Sequence, residues 1–127
     1  MILVDTSAWV DFFRGAEPLA SRVDTLLGDD EVAVCGPILT ELRRGLRSKA
    51  ERSQVLPLLL ACHALPQPPD LWEEAGDLGF AVRQRGATVK ALDLLIATWA
   101  LSAGVPILTA DRDFALLCRA GVPIDLA

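Results

Sequence analysis

Apolar residues along this chain form short continuous runs, and longer segments with helical spacing separate them. The runs at Met1–Val4, Val32–Val34 and Val105–Thr109 predict buried strands. Ala64–Leu65 predicts one more strand before the last of these, and a final strand can be placed within Val122–Leu126. The strands are short, as expected for a small sheet that is buried from its first residue.

The segments between the strands repeat apolar residues at the spacing of amphipathic helices. Hydroxyl, carboxylate and proline residues near their starts, and glycines after their ends, mark the boundaries. The predicted helices cover Ala8–Arg14, Glu17–Leu27, Ile38–Leu46, Ser48–Cys62 with a kink or break at Pro57, Leu71–Arg85, Ala91–Ala103 and the later part of Asp111–Ala120. Strands that alternate with helices predict one α/β domain over residues 1–127 with a short, mostly parallel central sheet.

The composition indicates how the sheet is covered and in which cell compartment the protein is expected. Apolar residues make up 52% of the chain and the mean hydropathy is +0.38, which favours a sheet covered by helices on both faces. No apolar run approaches the roughly 18–20 residues of a membrane helix. Three cysteines without metal-ligand spacing indicate reduced thiols, so we expect a cytoplasmic protein that does not use a membrane.

Acidic residues stand where the predicted strands end. Asp5 directly follows the first strand, and Asp111 and Asp113 follow the strand at Val105–Thr109. Glu41 falls in the first turn or so of the helix after the second strand, and Asp93 near the start of the apolar helix. Because ligands of an open parallel sheet bind beyond the carboxyl ends of its strands, we expect these five acids at one end of the sheet.

Each acid also has an ordinary structural explanation, and Asp93 is the hardest to explain that way. Asp5 and Asp113 could each cap a helix. Asp93 lies in an apolar helix, and a buried carboxylate requires a partner. No base occurs three or four residues after it, and the nearest is Lys90, three residues before. We therefore expect the compensating charge to come from elsewhere.

A hard divalent cation would resolve the repulsion among five clustered carboxylates. Oxygen-only ligands suit Mg²⁺ or Mn²⁺, whereas zinc favours histidine and cysteine. Asp5 and Asp93 are the expected direct ligands, and Glu41, Asp111 and Asp113 would complete the shell. Such a site, with one or two ions, suits hydrolysis of phosphodiesters because the metal activates water and stabilises charge on phosphate oxygens.

Net charge at first disfavours a nucleic-acid substrate, since 17 acids face 12 bases. Without the five candidate acids, twelve acids remain against twelve bases, so the rest of the chain is neutral. The bases are also grouped near the predicted site, although each could simply lie on a solvated helix face. The grouped bases are Arg43, Arg44, Arg47, Lys49 and Arg52 after Glu41, and Arg83, Arg85 and Lys90 before Asp93.

Three further side chains are candidates for contact with a substrate. Thr6 and Thr109 carry hydroxyls that could orient a carboxylate or a phosphate, although capping and turn bonding would explain them equally well. Arg112 stands between Asp111 and Asp113 and could face a phosphate.

Other classes of protein fit parts of this pattern. A phosphotransfer receiver module also places acids at strand ends, but it needs paired acids near the first strand and a later lysine, and no lysine follows Lys90. A non-catalytic module could use the same acids to bind a basic peptide, which the sequence alone does not exclude. A dinucleotide-binding enzyme is disfavoured because no Gly-x-Gly-x-x-Gly follows the first strand.

Four segments, in order and across the whole chain, resemble the motifs of VapC-type PIN-domain toxins. The first is Val4–Gly15, which reads VDTSAWVDFFRG, and the second is Thr40-Glu41-Leu42 followed by Gly45. The third is Asp93–Ala97, and the fourth is Leu108–Phe114, which reads LTADRDF. The acids that match this family are Asp5, Glu41, Asp93 and Asp111, with Asp113 in addition.

The resemblance implies a three-layer α/β/α fold and an endoribonuclease that depends on Mg²⁺ or Mn²⁺. It implies the toxin of a toxin–antitoxin pair, inhibited when the C-terminal segment of a small antitoxin fills a groove and blocks the acidic site. It also implies a homodimer, often with antitoxin bound. Trp9, Phe12 and Phe13 could line that groove, with core packing as the alternative.

Overall fold

The computed structural model describes residues 1–127 and consists of four strands and seven helices. The strands are β1 (Ile2–Val4), β2 (Val32–Val34), β3 (His63–Ala64) and β4 (Ile107–Leu108). The helices are α1 (Thr6–Arg14), α2 (Leu19–Gly28), α3 (Gly36–Arg44), α4 (Lys49–Leu60), α5 (Leu71–Gln84), α6 (Ala91–Ala103) and α7 (Arg112–Arg119).

The four strands form one fully parallel sheet in the order β3-β2-β1-β4. Leu3 pairs with Ala33 of β2 on one side and with Ile107 of β4 on the other. The chain therefore adds β2 and β3 on one side of β1 and places β4 on the other side. The point between β1 and β4 is where the strand order reverses, and an open parallel sheet binds its ligands at such a point.

Helices cover both faces of the sheet, as the apolar strands predict. Val32, Ala33 and Val34 are all buried, although neighbouring residues of a strand point to opposite faces. Trp9 of α1 and Phe114 of α7 are the largest fully buried side chains of the core. The result is a three-layer α/β/α domain, in agreement with the predicted fold class.

Local sequence explains most helix boundaries. Gly15 and Gly104 end α1 and α6 in the left-handed conformation, with φ of 68° and 66°, which glycine adopts without a steric penalty. Ser48 caps α4 by accepting a hydrogen bond from the backbone N–H of Glu51 at 3.0 Å. Pro57 lies inside α4, which continues to Leu60, so the break expected there does not occur.

Two predicted strands and several element boundaries differ from the structure. Helix α2 begins two residues later and α3 two residues earlier than predicted, and β4 is shorter than the predicted strand at Val105–Thr109. The third strand is His63–Ala64 rather than Ala64–Leu65. Residues 122–126 form no strand, because only an isolated parallel bridge joins Leu126 to Ile107. Helix α1 begins at Thr6, two residues earlier than expected, so Asp5 immediately precedes its first turn. No helix has the length and the apolar character that would let it cross a membrane.

Candidate metal centre

The topology brings the ends of β1 and β4 side by side at the reversal point of the sheet. Asp5 follows β1, and the loop that starts at Thr109 follows β4. The backbone N–H of Asp5 donates a hydrogen bond to the carbonyl of Leu108 at 2.9 Å, which continues the strand pairing up to the site. The acidic residues of both loops therefore meet at the carboxyl end of the sheet, as the sequence predicted.

Asp5 is a buried carboxylate held by hydroxyl groups. Its side chain is 3% exposed, and its Oδ2 accepts hydrogen bonds from Ser7 Oγ and Thr109 Oγ1, each at 2.9 Å. It occupies the N-cap position of α1 without forming a side-chain cap hydrogen bond, so helix capping does not explain it. Burial raises the pKa of Asp5, and the hydrogen bonds from Thr109 and Ser7 oppose that rise.

The same two hydroxyls also fix the loop after β4. Ser7 Oγ accepts from the backbone N–H of Ala110, and Thr109 Oγ1 accepts from the backbone N–H of Asp111, both at 2.9 Å. Ser7 was not among the predicted site residues. The only signal for it in the sequence is a hydroxyl two residues after Asp5, because its partners lie more than 100 positions away.

Asp111 and Asp113 have separate tasks at the start of α7. Asp111 is the N-cap, and its Oδ1 accepts a hydrogen bond from the backbone N–H of Asp113 at 2.9 Å. Asp113 is therefore not the N-cap of α7, which excludes the capping role considered for it and leaves the role in the metal shell. Its own carboxylate is left to face the acidic cluster.

Asp93 is buried without a full set of partners. It lies in the first turn of α6 with 5% exposure, and its Oδ2 has no hydrogen-bond partner. Burial raises the pKa of Asp93 to about 7; the charge of Lys90 opposes this rise and the charge of Asp111 adds to it. An unsatisfied buried carboxylate is costly, so this oxygen favours binding a proton or a cation.

Lys90 is the charge that partly compensates Asp93. Its Nζ lies 3.8 Å from Asp93 Oδ2 and 3.8 Å from Asp111 Oδ2. The sequence expected the compensating charge to come from elsewhere; Lys90, three positions earlier, supplies part of it without forming a hydrogen bond to Asp93 Oδ2. The charges of Asp93 and Asp111 raise the pKa of Lys90, which keeps its side chain protonated.

Three carboxylates converge closely enough to share an ion. One oxygen each of Asp93, Asp111 and Asp113 lie within 4.8 Å of one another. These oxygen donors and the unpartnered Asp93 Oδ2 fit a hard divalent cation such as Mg²⁺ or Mn²⁺. Asp5, which was predicted as a direct ligand, lies outside this set of three.

Glu41 also lies outside this set and is held separately. It sits in the second turn of α3 rather than the first, and its Oε1 accepts a hydrogen bond from Thr6 Oγ1 at 2.8 Å. Thr6 and Thr109 thus orient one carboxylate each, which is one of the roles predicted for them. Arg112 is exposed and forms no ion pair, so its contact with a substrate stays a prediction.

A groove of about 380 Å³ opens beside Glu41 between the first and third helices, and we name it the α1–α3 groove. Phe13, 41% exposed, lines it, whereas Trp9 is fully buried in the core. Trp9 therefore packs in the core, Phe12 packs partly buried against it, and Phe13 lines a groove. The groove is lined by Thr6, Val10, Phe13, Arg14, Glu41, Leu42, Gly45, Leu46, Arg47 and Glu51.

Comparison with known protein families assigns the domain. Residues 2–120 match the family model described as PIN domain. The chain belongs to the PIN-domain family. This membership agrees with the three-layer fold and with the position of the acids, and it removes the phosphotransfer receiver as an alternative.

Curated PIN-domain relatives match almost the full length of the chain. Ribonuclease VapC11 of Mycobacterium tuberculosis is 32% identical over 124 residues, which cover 94% of this chain and 92% of that protein. Ribonuclease VapC32 of the same organism is 35% identical over 119 residues, which cover 93% of this chain and 90% of that protein. The resemblance of the motifs to VapC-type proteins is thereby confirmed.

Solved PIN-domain structures share the fold. The chain superposes on a structure of VapBC2 from Rickettsia felis, bound to a DNA fragment from their promoter, with a TM-score of 0.78. That match has 19% identity and covers 100% of this chain and 98% of that chain. A structure of VapBC-5 from Mycobacterium tuberculosis, a toxin–antitoxin family member, matches at 27% identity and a TM-score of 0.63, covering 98% and 97%.

Proposed function

We propose that this PIN domain is a divalent-metal-dependent endoribonuclease and the toxin of a VapBC-type toxin–antitoxin pair, acting in the cytoplasm. The observation that carries the proposal is the buried, unpartnered Asp93 Oδ2, which lies beside Asp111 and Asp113 at the carboxyl end of the sheet. The full-length similarity to proteins named VapC ribonucleases supports RNA as the substrate.

Asp93, Asp111 and Asp113 would hold the ion, with Asp5 and Glu41 flanking them. Mg²⁺ or Mn²⁺ suits these donors because all of them are carboxylate oxygens, and one or two ions would satisfy five acids. When bound, such an ion lowers the pKa of water and stabilises negative charge on phosphate oxygens.

The chain itself supplies position and protonation state. Ser7 and Thr109 fix Asp5 and the loop of Asp111 with hydrogen bonds of 2.9 Å, so these acids need little rearrangement to act. Asp93 has a pKa of about 7 and must lose its proton before it can hold a cation. Arg47 on the rim of the α1–α3 groove and Arg112 at the start of α7 are the bases we assign to RNA phosphates.

The decisive experiment measures RNA cleavage by the purified wild type and variants with Mg²⁺, Mn²⁺ or EDTA. We expect cleavage that EDTA abolishes and that Asp93→Asn and Asp5→Asn each reduce about a thousandfold. Asp24→Asn is the matched control, since Asp24 is an exposed acid of α2, and it should cleave like the wild type. Cleavage in EDTA, or undiminished cleavage by both site variants, would falsify the proposal.

We assign the α1–α3 groove to a segment of the cognate antitoxin. Apolar Val10, Phe13 and Leu46 line it beside the charged Arg47, and it ends at Glu41 of the acidic site. A peptide with apolar anchors and a basic end would fill this groove and cover the acids. Several structural neighbours are complexes named VapBC, which supports a partner of this kind.

Leu46→Glu tests this assignment, with Leu60→Glu as its control because Leu60 is exposed outside the groove. The binding partner in this test is the cognate antitoxin, which would be sought as a short protein encoded beside this gene. We expect Leu46→Glu to weaken that complex about a hundredfold, as loss of a buried anchor does, while cleavage by the free protein persists. Equal affinity of both variants would place the antitoxin elsewhere.

We further propose that the homodimer forms through α5. Trp72 and Phe80 are 63% and 68% exposed on one face of this helix, with Gly76 between them. Acids Asp70 and Glu73 stand near the start of the helix, and Arg83 stands near its end. An antiparallel pair of α5 helices about a two-fold axis would place aromatic rings against each other and acids against arginines.

Paired substitution of Trp72→Ala and Phe80→Ala tests the dimer by sedimentation. We expect a monomer, whereas Leu101→Ala, at an exposed residue of α6, should leave the assembly unchanged. A double variant that sediments as the wild type does would contradict the use of this face.

The remaining alternative is a non-catalytic module that binds a basic peptide with the same acids. It predicts tight association with a partner, no RNA cleavage and no binding of Mn²⁺. Calorimetric titration of the wild type with Mn²⁺ separates the two functions without any RNA.

A further inference from the structure

Lys90 holds an unusual position in the acidic cluster. It precedes α6, and its ammonium lies 3.8 Å from one oxygen of Asp93 and 3.8 Å from one oxygen of Asp111. These are two of the three acids whose oxygens converge within 4.8 Å. A cation fixed to the chain thus stands beside the oxygens that we assign to a metal ion.

The distances show that Lys90 neutralises charge without satisfying Asp93. A charge-assisted hydrogen bond from an ammonium to a carboxylate measures about 2.7–2.9 Å, well below the 3.8 Å found here. Asp93 Oδ2 therefore stays without a hydrogen-bond partner despite the nearby positive charge. A small divalent cation can approach carboxylate oxygens to about 2.0–2.2 Å and would satisfy this oxygen directly.

The Lys90 side chain is free to move. It is 70% exposed, whereas Asp93 and Asp111 are 7% and 29% exposed by the same measure. A lysine carries its charge on a flexible stem of four carbons, so an exposed ammonium leaves one site for solvent at little cost. The acids, in contrast, are fixed by α6 and by the cap of α7.

We propose that the Lys90 ammonium is a tethered counter-ion that stabilises the acidic cluster before a divalent cation binds and that the cation must displace. This inference rests on the proposed metal site. Two positive charges confined beside the same oxygens repel each other, so binding of the metal and occupancy by Lys90 are competitive. Lys90 thereby lowers the affinity for the metal and raises the stability of the metal-free protein.

Lys90→Met tests this competition, because methionine keeps a long apolar stem and removes the charge. The chain contains only one other lysine, the exposed Lys49, and Lys49→Met is therefore a matched control. We expect the melting temperature of metal-free Lys90→Met to fall by a few degrees and its affinity for Mn²⁺ to rise about tenfold. Lys49→Met should change neither quantity, and Lys90→Arg should stay close to the wild type.

Direct observation of Lys90 gives a second readout that involves no catalysis. Reductive ¹³C-dimethylation of the intact protein keeps the lysine charges and labels two side chains, Lys90 and Lys49, besides the N-terminus. Titration with Mg²⁺ should shift the Lys90 signal toward that of a solvated lysine and leave the Lys49 signal in place.

The outcomes separate this inference from the proposed function. Equal Mn²⁺ affinity in the wild type and Lys90→Met, or weaker affinity in the variant, overturns the competition while the metal site stands. Failure of the wild type to bind Mn²⁺ at all overturns the metal site and this inference with it.

Discussion

Asp5 and Asp93 are two buried carboxylates at the same end of one sheet, and they differ in what surrounds them. Asp5 receives hydrogen bonds from Ser7 and Thr109 on one oxygen. Asp93 has an oxygen with no hydrogen-bond partner and a lysine at 3.8 Å. Burial raises the pKa of both; hydrogen bonds from Thr109 and Ser7 oppose the rise at Asp5, and the pKa of Asp93 reaches about 7.

The difference indicates that Asp5 and Asp93 have different roles in the acidic site. The hydroxyl groups around Asp5 belong to the protein and fix both the acid and the loop after β4. The surroundings of Asp93 leave one of its oxygens without a partner. One acid is therefore part of the scaffold of the site, and the other is the group whose ionisation the proposed cation would stabilise.

Neutralising either acid should reduce RNA cleavage more than any other substitution in this series. The two variants should differ in thermal stability. Asp5→Asn and Asp93→Asn should each reduce cleavage about a thousandfold, because each removes several kcal/mol of charge stabilisation. Metal-free Asp93→Asn should melt above the wild type, since it removes a poorly partnered buried charge. Asp5→Asn should gain less, because it loses charge-assisted bonds. Thermal melts in EDTA that rank the two variants in the opposite order would contradict the comparison.

The pH dependence of stability sharpens the comparison further. The pKa of Asp93 is about 7 in the folded chain, against an ordinary value of 3.8. Between these values the folded chain holds a proton that the unfolded chain has released. The free energy of unfolding without metal should therefore fall as pH rises from about 4 to about 7 and then level off.

Urea denaturation in EDTA at several pH values measures this slope. Asp93→Asn should remove most of it, while Asp5→Asn should remove a smaller part because hydrogen bonds from Thr109 and Ser7 oppose the rise in the pKa of Asp5. A slope that survives in Asp93→Asn would assign the titration to another group. Cleavage should rise with pH through about 7, since Asp93 must be ionised to hold a cation.

Removal of the Thr109 hydroxyl should weaken the scaffold around Asp5 by a moderate amount. Thr109→Val leaves Asp5 with one donor fewer and leaves the backbone N–H of Asp111 without its acceptor. The expected cost is about 1–3 kcal/mol of unfolding free energy. Thr98→Val is the control, because Thr98 is buried and its hydroxyl donates only to a carbonyl within its own helix, whereas Thr109 is partly buried and bonds to another loop. Equal losses in urea denaturation would show that the Asp5 network adds nothing specific.

Thr6→Val should have the smallest effect of the series. Thr6 donates to the partly buried Glu41, which lies outside the converging set of three acids. We expect the affinity for Mn²⁺ to fall no more than about tenfold, the lower end for loss of a group that orients a metal ligand. A loss as large as that of Asp93→Asn would place Glu41 at the centre of the site.

The sequence predicted the ends of the sheet well because apolar runs and the acids after them are local signals. Asp93 in an apolar helix was recognisable as buried for the same reason. The bonds of Ser7 to the loop after β4 were not predictable, since 102 positions separate it from Thr109 and only the paired β1 and β4 bring them together.

The role of Lys90 was missed for a geometric reason. Helical spacing places neighbours of Asp93 three and four positions away along a regular helix. Lys90 is the residue before α6 begins, so the geometry of the helix does not set the direction of its side chain. The ammonium can therefore approach both Asp93 and Asp111. The final strand predicted within Val122–Leu126 does not form. The sequence of this segment does not show whether a neighbouring strand is long enough to pair with it.

The hydrogen bonds between Ser7 and the loop after β4 also determine when the acidic site can form during synthesis. Asp5, Glu41 and Asp93 precede Thr109, Asp111 and Asp113 along the chain and are therefore synthesised before them. A nascent chain that has folded only as far as α6 therefore contains three acids and lacks the loop that anchors the first of them. Assembly of the acidic site therefore waits for synthesis of the loop after β4.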